Sequence, residues 1–550
     1  MLIYFVIVPI MLAVFLYLFP FERAARTIAL LAQMGLVGSS VYLFMLSREE
    51  KVITAIGYYD GALGIFLRAD ELSAVFILLT SVIFLIAALY SFNENKSRLF
   101  WFLLFIWEGS LIGVFLAGDF FNIFVLTEVA TVTISILIMY DRKNRSLYDG
   151  IIFFMVNIVV VQFYLLGLGY IYRLAGVLDL EATGIAFEGI ERAQLALPYA
   201  LVMTFVTLKC ALLPMFSWLP KAHSTPGAPP AVSAVLSGLQ IKGGVYLLIR
   251  FQAIFGEGAM PEFFLVLGIT TALFGIVLAL VQLDFKKVLA CSTIAQIGLI
   301  VAAISIGNHY NYTGSLYHMV NHAVIKAALF LCAGMVVRIY GTRDITKIRG
   351  IMRRMPLVGI SMILALLGIV GMPLFNGSIS KYFIMYNVEG SLFWFMLLIN
   401  LGTIMIAIKL SFMLFGQPQE VQQEAQKKEG QKKERSLEAG DFEEIEEPTK
   451  QDILQLISVL ILGLMCFGLG VFGESAMIIL FGIDFRIELL GYLQKSAIFF
   501  VSLAIGYFIF TKFIKDSPFL KTIRDIELGF REMCVTMGLF FAIILIISGI

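Results

Sequence analysis

Apolar runs of about 20 residues, the length that crosses a bilayer as a helix, recur along almost the whole chain. In the first half they fall near residues 2–20, 27–47, 72–92, 99–117, 119–139, 150–172, 197–217 and 228–251. In the second they fall near 261–282, 288–307, 313–339, 357–388, 391–415, 452–473, 493–514 and 533–550. The pattern predicts an all-α polytopic membrane protein of about 14–16 transmembrane helices. The run at 357–388 is long and interrupted at Gly371-Met372-Pro373 and again at Asn376-Gly377, and Pro214 interrupts the run at 197–217. Proline removes a backbone donor and clashes with the preceding turn. Pro214 and Pro373 therefore mark two broken helices, whose freed backbone can line a polar cavity.

Composition narrows the class. With 60% hydrophobic and 14% charged residues, the chain is not a soluble enzyme. A net charge of +1 gives no field that would draw in nucleic acid. The five cysteines (Cys210, Cys291, Cys332, Cys466, Cys534) are scattered through apolar runs without a C-x-x-C pair, so neither iron–sulfur nor zinc ligation is expected. No Walker loop and no G-x-G-x-x-G after a strand is present. The expectation is no cofactor, no metal and no catalytic redox site in this chain. The N-terminal run has no basic leader and no small-residue cleavage site, which predicts a retained first span.

Basic residues set the expected orientation. Arg338, Arg343, Lys347, Arg349, Arg353 and Arg354 share one side with Arg142-Lys143, Lys286-Lys287 and the 512–531 segment. The positive-inside rule makes that side cytoplasmic, with both termini outside and the polar insert 416–450 in the cytoplasm. The insert mixes Lys and Glu with few apolar positions, as in a solvated linker or a docking surface for a partner. Within 515–531, Phe519, Ile523, Ile526 and Phe530 recur at helical spacing between charges, which predicts a short helix on the membrane surface.

Charges at membrane depth carry the candidate chemistry. A lysine at the centre of a lipid-facing helix costs about 2.5–3.5 kcal/mol on insertion scales, so Lys209 and Lys242 point to a wet interior. Glu128 lies about nine residues into its apolar span and is a candidate partner for Lys209, because a carboxylate and an ammonium close enough to couple can pass a proton. Asp119, at the start of the same span, fits a helix N-cap. His318, His322 and Lys326 are spaced i, i+4, i+8, which lines them along one helix face about 6 Å apart per step; histidine suits a proton relay. Lys381 lies in the second broken helix and resembles Lys209 in standing close to a proline break, which suggests an internal repeat. Lys409 either snorkels to the headgroups or joins the path. Glu108 is a further intramembrane carboxylate without a partner recognisable in the sequence.

Taken together these residues resemble the proton-translocating antiporter-like subunits of Mrp-type Na⁺/H⁺ antiporters, respiratory complex I and membrane-bound hydrogenases and sulfur reductases. The resemblance covers roughly residues 60–415. It rests on AGDFFNIFVLTEV, LKCALLPMFSWLPKAHSTPGAPPAVSAVLSGLQIKGGVYLLIR, DFKKVLACSTIAQIGLI, LYHMVNHAVIKAALFLCAG and GMPLFNGSISK, in that order, and the first run leans toward the Mrp D-type subunit. It implies two inverted five-helix repeats, each with a broken helix. The domains expected on that basis are 1–98 (three N-terminal helices), 99–254 (first repeat), 261–415 (second repeat), 416–450 (charged linker) and 451–550 (C-terminal helices). It also implies Glu128 and Lys209 as the coupled pair of the first half-channel and Lys242 as the central relay. His318, His322 and Lys326 become its continuation, and Lys381 the far lysine. The implied function is proton movement, with or without Na⁺ exchange, inside an assembly in the cell membrane. Its partners would be other membrane subunits, protons or Na⁺, and the lipid bilayer, with no nucleic acid. The rival is a self-sufficient secondary transporter of sodium or of a small solute.

Overall fold

A computed structural model describes residues 1–56, 64–416, 452–482, 486–515, 517–524 and 526–549; the insert expected at 416–450 lies, but for Gly416, outside the described residues. Every expected apolar run is helical, and 13 of the helices among the described residues are long and apolar enough to cross a membrane. The chain begins with α1 (Ile3–Leu18) and α2 (Glu22–Glu49), a hairpin of β1 (Val52–Ile56) and β2 (Ile65–Ala69), and α3 (Glu71–Ser91). The hairpin pairs Val52 with Ala69 and Ile56 with Ile65, antiparallel; the run pattern does not reveal it.

Next come α4 (Arg98–Leu116), α5 (Phe120–Ile138), α6 (Asn144–Ala175), the short α7 (Leu180–Phe187), α8 (Arg192–Lys209), α9 (Trp218–Ser224) and α10 (Pro230–Phe255). A second set follows: α11 (Pro261–Val281), α12 (Phe285–Ile304), α13 (His309–Tyr340), α14 (Pro356–Val370), α15 (Asn376–Ile384) and α16 (Gly390–Ser411). The described chain closes with α17 (Ile453–Val471), α18 (Gly473–Phe481), α19 (Leu489–Ile514), α20 (Pro518–Ile523) and α21 (Phe530–Ser548).

The two sets repeat one another in detail. Asp119 caps α5 by accepting from Asn122 N–H, and Asp284 caps α12 by accepting from Lys287 N–H. Helices α6 and α13 have 32 residues each and end on left-handed glycines, Gly176 and Gly341. Each cap aspartate then pairs with the loop beyond that glycine, Asp119 with Asp179 and Asp284 with Asp344. These features keep a constant spacing of 165 residues (119 to 284, 176 to 341, 179 to 344).

Both helix breaks share one backbone path. Ala211 has φ 51 and Gly371 has φ 81. Beyond them Leu212 N–H donates to Thr207 O, as Met372 N–H does to Leu367 O, each at 3.1 Å. Met215 N–H then bonds Leu212 O, and Phe375 N–H bonds Met372 O. The break therefore satisfies part of its own backbone while opening the helix, as a membrane interior demands.

Helix packing is close where α11 crosses α12. A Cβ on Gly298 would lie 2.4 Å from Ala272 N, and one on Gly268 would lie 2.5 Å from Ala302 N. Gly298→Val must push these backbones apart, and overpacking of this kind costs about 1–3 kcal/mol or more. Thermal unfolding of the detergent-solubilised protein should shift to lower temperature for this variant and stay unchanged for Gly169→Val, whose Cβ meets nothing within 4 Å.

The surface helix expected over 515–531 is shorter than that. Among the described residues of that stretch, only Pro518–Ile523 is helical before the last span begins at Phe530. Residues 526–529 leave the helix because both backbone groups of Leu528 are taken by distant side chains: its N–H donates to Ser217 Oγ at 3.0 Å and its carbonyl accepts from Lys221 Nζ at 2.6 Å. Glu527 beside it pairs with Lys287 and, at 3.6 Å, with Arg145. Burial pushes the Glu527 carboxyl up, but the Lys287 hydrogen bond and the neighbouring cations outweigh it and hold it below the usual range. A depressed carboxyl stabilises docking fully above its unfolded value, near about 4.3, and the contribution is lost as pH falls through the folded value. The protection factor against hydrogen exchange at 526–529 should thus hold steady from about pH 7 to pH 5 and fall only below that window.

Candidate functional site

The candidate residues converge on the middle of the helical bundle. Lys209 is the last residue of α8 before the break. Its amine donates to Asn157 Oδ1 on α6 at 2.7 Å and to Thr131 Oγ1 on α5 at 3.1 Å, and lies 5.3 Å from the Phe205 ring centroid. Glu128, one turn before Thr131, is half-buried and within electrostatic reach of Lys209. The two groups make no ion pair at 4.0 Å or less. The expected pair is adjacent rather than bonded, because neutral oxygens already occupy the Lys209 amine.

Lys242 is fully buried in α10. Just before it, residues Leu236–Gln240 form a π turn, a wide turn that leaves carbonyls free of their usual helical donors. The Lys242 amine takes one of them, Ser237 O, at 2.6 Å. Ser237 Oγ lies 2.7 Å from Thr293 Oγ1, and Thr293 donates to Leu289 O. Leu289 O also accepts from Lys326 Nζ at 2.8 Å, and that amine reaches Ser292 Oγ at 2.5 Å. A string of hydroxyls and carbonyls thus joins the two lysines.

The histidine stripe continues from there. The rings of His318 and His322 lie 6.3 Å apart and nearly parallel. Neither His322 nitrogen has a hydrogen-bond partner among the described residues, yet the ring is within electrostatic reach of Lys242, Lys326, His318 and Lys381. His318 contacts Gln296 Oε1 at 3.0 Å through Nε2 and Ser380 Oγ at 2.8 Å through Nδ1. Ser380 precedes Lys381, whose amine donates to Ile369 O at 2.7 Å and Asn400 Oδ1 at 2.8 Å. Lys209 and Lys381 are not equivalent in register: one precedes its break and the other follows. The Lys381 side chain instead folds back across Gly371, where a Cβ would lie 3.1 Å from its Cδ.

Two cavities approach this path from the face that carries the β-hairpin. One of about 350 Å³ reaches Lys381 and Asn400 between α15, α16 and α19. A larger one of about 870 Å³, lined by Arg68, Asp70, Ser73 and Arg250, ends at Tyr246, one helical turn beyond Lys242. Among the described residues no hydrogen bond runs between Lys209 and Lys242; the helices meet as bare backbone at Gly244, where a Cβ would lie 2.7 Å from the Lys209 carbonyl carbon.

Two other residues resolve differently. Lys409 donates to Ala279 O and Leu280 O, and also to Gln282 O, so it caps the C-terminal end of α11, whose last carbonyls lack helical donors. Glu108 has a partner the sequence does not disclose: Gln33 Nε2, from α2, donates to it at 2.5 Å and to Ser81 O at 3.2 Å. Helix–helix contacts between remote segments carry no local signal; only the oddity of a glutamate in an apolar run marks the place. Asp119 caps its helix as expected.

A bundle of membrane helices with two inverted repeats, two broken helices and a set of buried lysines and histidines defines an antiporter-like membrane subunit. The chain belongs to the family described as NADH:quinone oxidoreductase/Mrp antiporter, whose transmembrane model matches residues 117–407. It is 28% identical over 387 residues to the D-type subunit of the Na⁺/H⁺ antiporter of Alkalihalophilus pseudofirmus, covering 68% of this chain and 78% of that protein. It is also 28% identical over 402 residues to the N-type subunit of the NADH-quinone oxidoreductase of Desulforudis audaxviator, covering 71% of this chain and 79% of that one. Among solved structures, a chain of the Mrp complex from Dietzia sp. shares the fold with a TM-score of 0.75 at 20% identity, over 90% of this chain and 99% of that chain. A chain of the archaeal membrane-bound sulfane sulfur reductase does so with a TM-score of 0.75 at 21% identity, over 91% and 98%. The protein is a multi-pass membrane subunit of the kind found in Mrp antiporter and complex I-like assemblies, with other membrane subunits as partners.

Proposed function

We propose that this chain moves protons along the path Glu128–Lys209–Lys242–(His318, His322, Lys326)–Lys381, from the basic face to the face that carries the hairpin. The observation that carries the reading is the solvation of the lysines. Lys209, Lys242, Lys326 and Lys381 are buried, and among the described residues their amines are hydrogen-bonded only to neutral oxygens. A buried ammonium without a counter-ion is costly, whereas carbonyl and hydroxyl dipoles serve either protonation state. Such a site exchanges a proton with little rearrangement. Movement of Glu128 toward or away from Lys209 supplies the bias that couples the path to events in partner subunits.

The chain offers no nucleotide or redox motif, so the driving force comes from partners or from an ion gradient. Relatives named as Na⁺/H⁺ antiporter subunits favour exchange against Na⁺ in the cell membrane. The orientation, with both termini outside, follows from the distribution of basic residues. Proteoliposomes test the reading. The intact assembly should generate or dissipate a pH gradient reported by an entrapped dye, and this chain alone should not. Comparable transport by the chain alone would favour a self-sufficient transporter and overturn the assignment.

A further inference from the structure

The repeat assigns Lys381 a counterpart that the proposed path does not use. Around the breaks the two halves run in parallel at a spacing of 160 residues (211 to 371, 215 to 375), shown by the shared backbone bonds. At that spacing Lys209 aligns with Ile369, and the counterpart of Lys381 is Lys221. Because the repeats are inverted, Lys221 stands at the basic face as Lys381 stands at the opposite one. The alignment also accounts for the fold-back of Lys381, whose amine binds Ile369 O, the position that matches Lys209.

Lys221 is buried at the end of the first broken helix, with its amine on Leu528 O. Asp149, Glu527, Glu532 and Arg145 are the charged groups within its electrostatic reach. Arg145 Nε holds Asp149 Oδ2 at 3.1 Å, and the other carboxylate oxygen, Oδ1, is buried without a hydrogen-bond partner among the described residues. Asp149, Phe153 and Asn157 are spaced i, i+4, i+8 on α6, so they share one face. The Phe153 ring packs edge-on against Trp218 of the Lys221 half-helix at 5.4 Å, and Asn157 is the residue that holds Lys209. At the 165-residue spacing, Asn157 and Phe153 are the counterparts of His322 and His318.

We infer that Lys221 is the proton carrier at the basic-face mouth of the first repeat, exchanging protons between Asp149 and the Lys209 site. The inference rests on the proposed path. In one cycle the protonated Asp149 carboxyl gives its proton to the neutral Lys221 amine and becomes a carboxylate. The Lys221 ammonium then releases that proton toward the neutral Lys209 amine along the Asn157 face, and water on the basic face reprotonates Asp149. No electrons move.

Arginine and histidine separate carrying from holding. Arginine keeps the charge and the donor to Leu528 O but does not release a proton, whereas histidine titrates near neutral pH. Initial rates of proton transport are measured in proteoliposomes of the intact assembly for Lys221→Met, Lys221→Arg and Lys221→His, with Lys209→Met alongside. The expected result is a loss of about tenfold or more for the methionine and arginine variants and partial recovery for histidine. Arginine recovering as well as histidine would make Lys221 a structural clamp and overturn the inference. Full activity in Lys221→Met with none in Lys209→Met would overturn it while leaving the path intact. Full activity in both would bring down the path as well.

Discussion

Lys209→Met in the assembled complex is expected to lower proton translocation by about 100-fold or more, equivalent to about 2.7 kcal/mol on the transport barrier. Methionine keeps much of the length and packing of lysine but cannot carry a proton. The site it leaves contains Asn157 Oδ1 and Thr131 Oγ1 facing a thioether, and these neutral groups can turn toward each other. Folding should therefore survive. Assembly followed by size-exclusion chromatography, beside transport by dye quenching, separates the two effects. Loss of transport with normal assembly is the expected outcome, and any redox partner reaction should persist uncoupled. Glu128→Gln should act in the same direction but less severely, since Glu128 biases Lys209 without bonding it.

Lys242→Met is the second large effect, and its signature differs. Lys242 joins the repeats: its amine sits on the π-turn carbonyl of Ser237, whose hydroxyl starts the string to Lys326. Removing the amine leaves a buried carbonyl without its donor, a cost of about 1–3 kcal/mol, so some loss of thermal stability is expected. The main consequence is that the halves are disconnected. Steady-state transport should fall to background, while each half keeps its own titratable lysine. Proton uptake on the basic face after a pH jump, read by a surface-attached dye, should persist in Lys242→Met and fall in Lys209→Met to what Asp149 and Lys221 alone take up. Uptake lost in Lys242→Met and kept in Lys209→Met would mean that Lys242, rather than Lys209, receives the proton first.

Much of this arrangement is legible in the sequence because a membrane restricts the options. Apolar runs must be helical where no water can satisfy backbone groups, so the spans follow from length alone. The stripe of His318, His322 and Lys326 follows from the period of one helix. Pro214 and Pro373 mark both breaks, although the turn itself is made by Ala211 and Gly371 just before them. What local pattern does not supply is pairing between remote segments. Gln33 meets Glu108 from 75 residues away, and the 526–529 segment is drawn out of a helix by Ser217 and Lys221. Lys209 and Lys381 look alike in sequence because each stands near a proline. Only the three-dimensional register of the breaks separates them. The register of the internal repeat hides for a similar reason: it is kept in caps, helix lengths and left-handed glycines, features that tolerate almost any side chain between them.

Proton movement through this chain requires the buried lysines and histidines to share one hydrated path. An electron cryo-microscopy map of the intact assembly, at a resolution that shows ordered water, reads that requirement without any transport assay. Water density is expected to bridge Lys209 to Lys242 past Gly244 and to surround the His322 ring between Lys242, Lys326 and Lys381. Dry apolar packing at either place, with the side chains isolated from one another, would contradict the path.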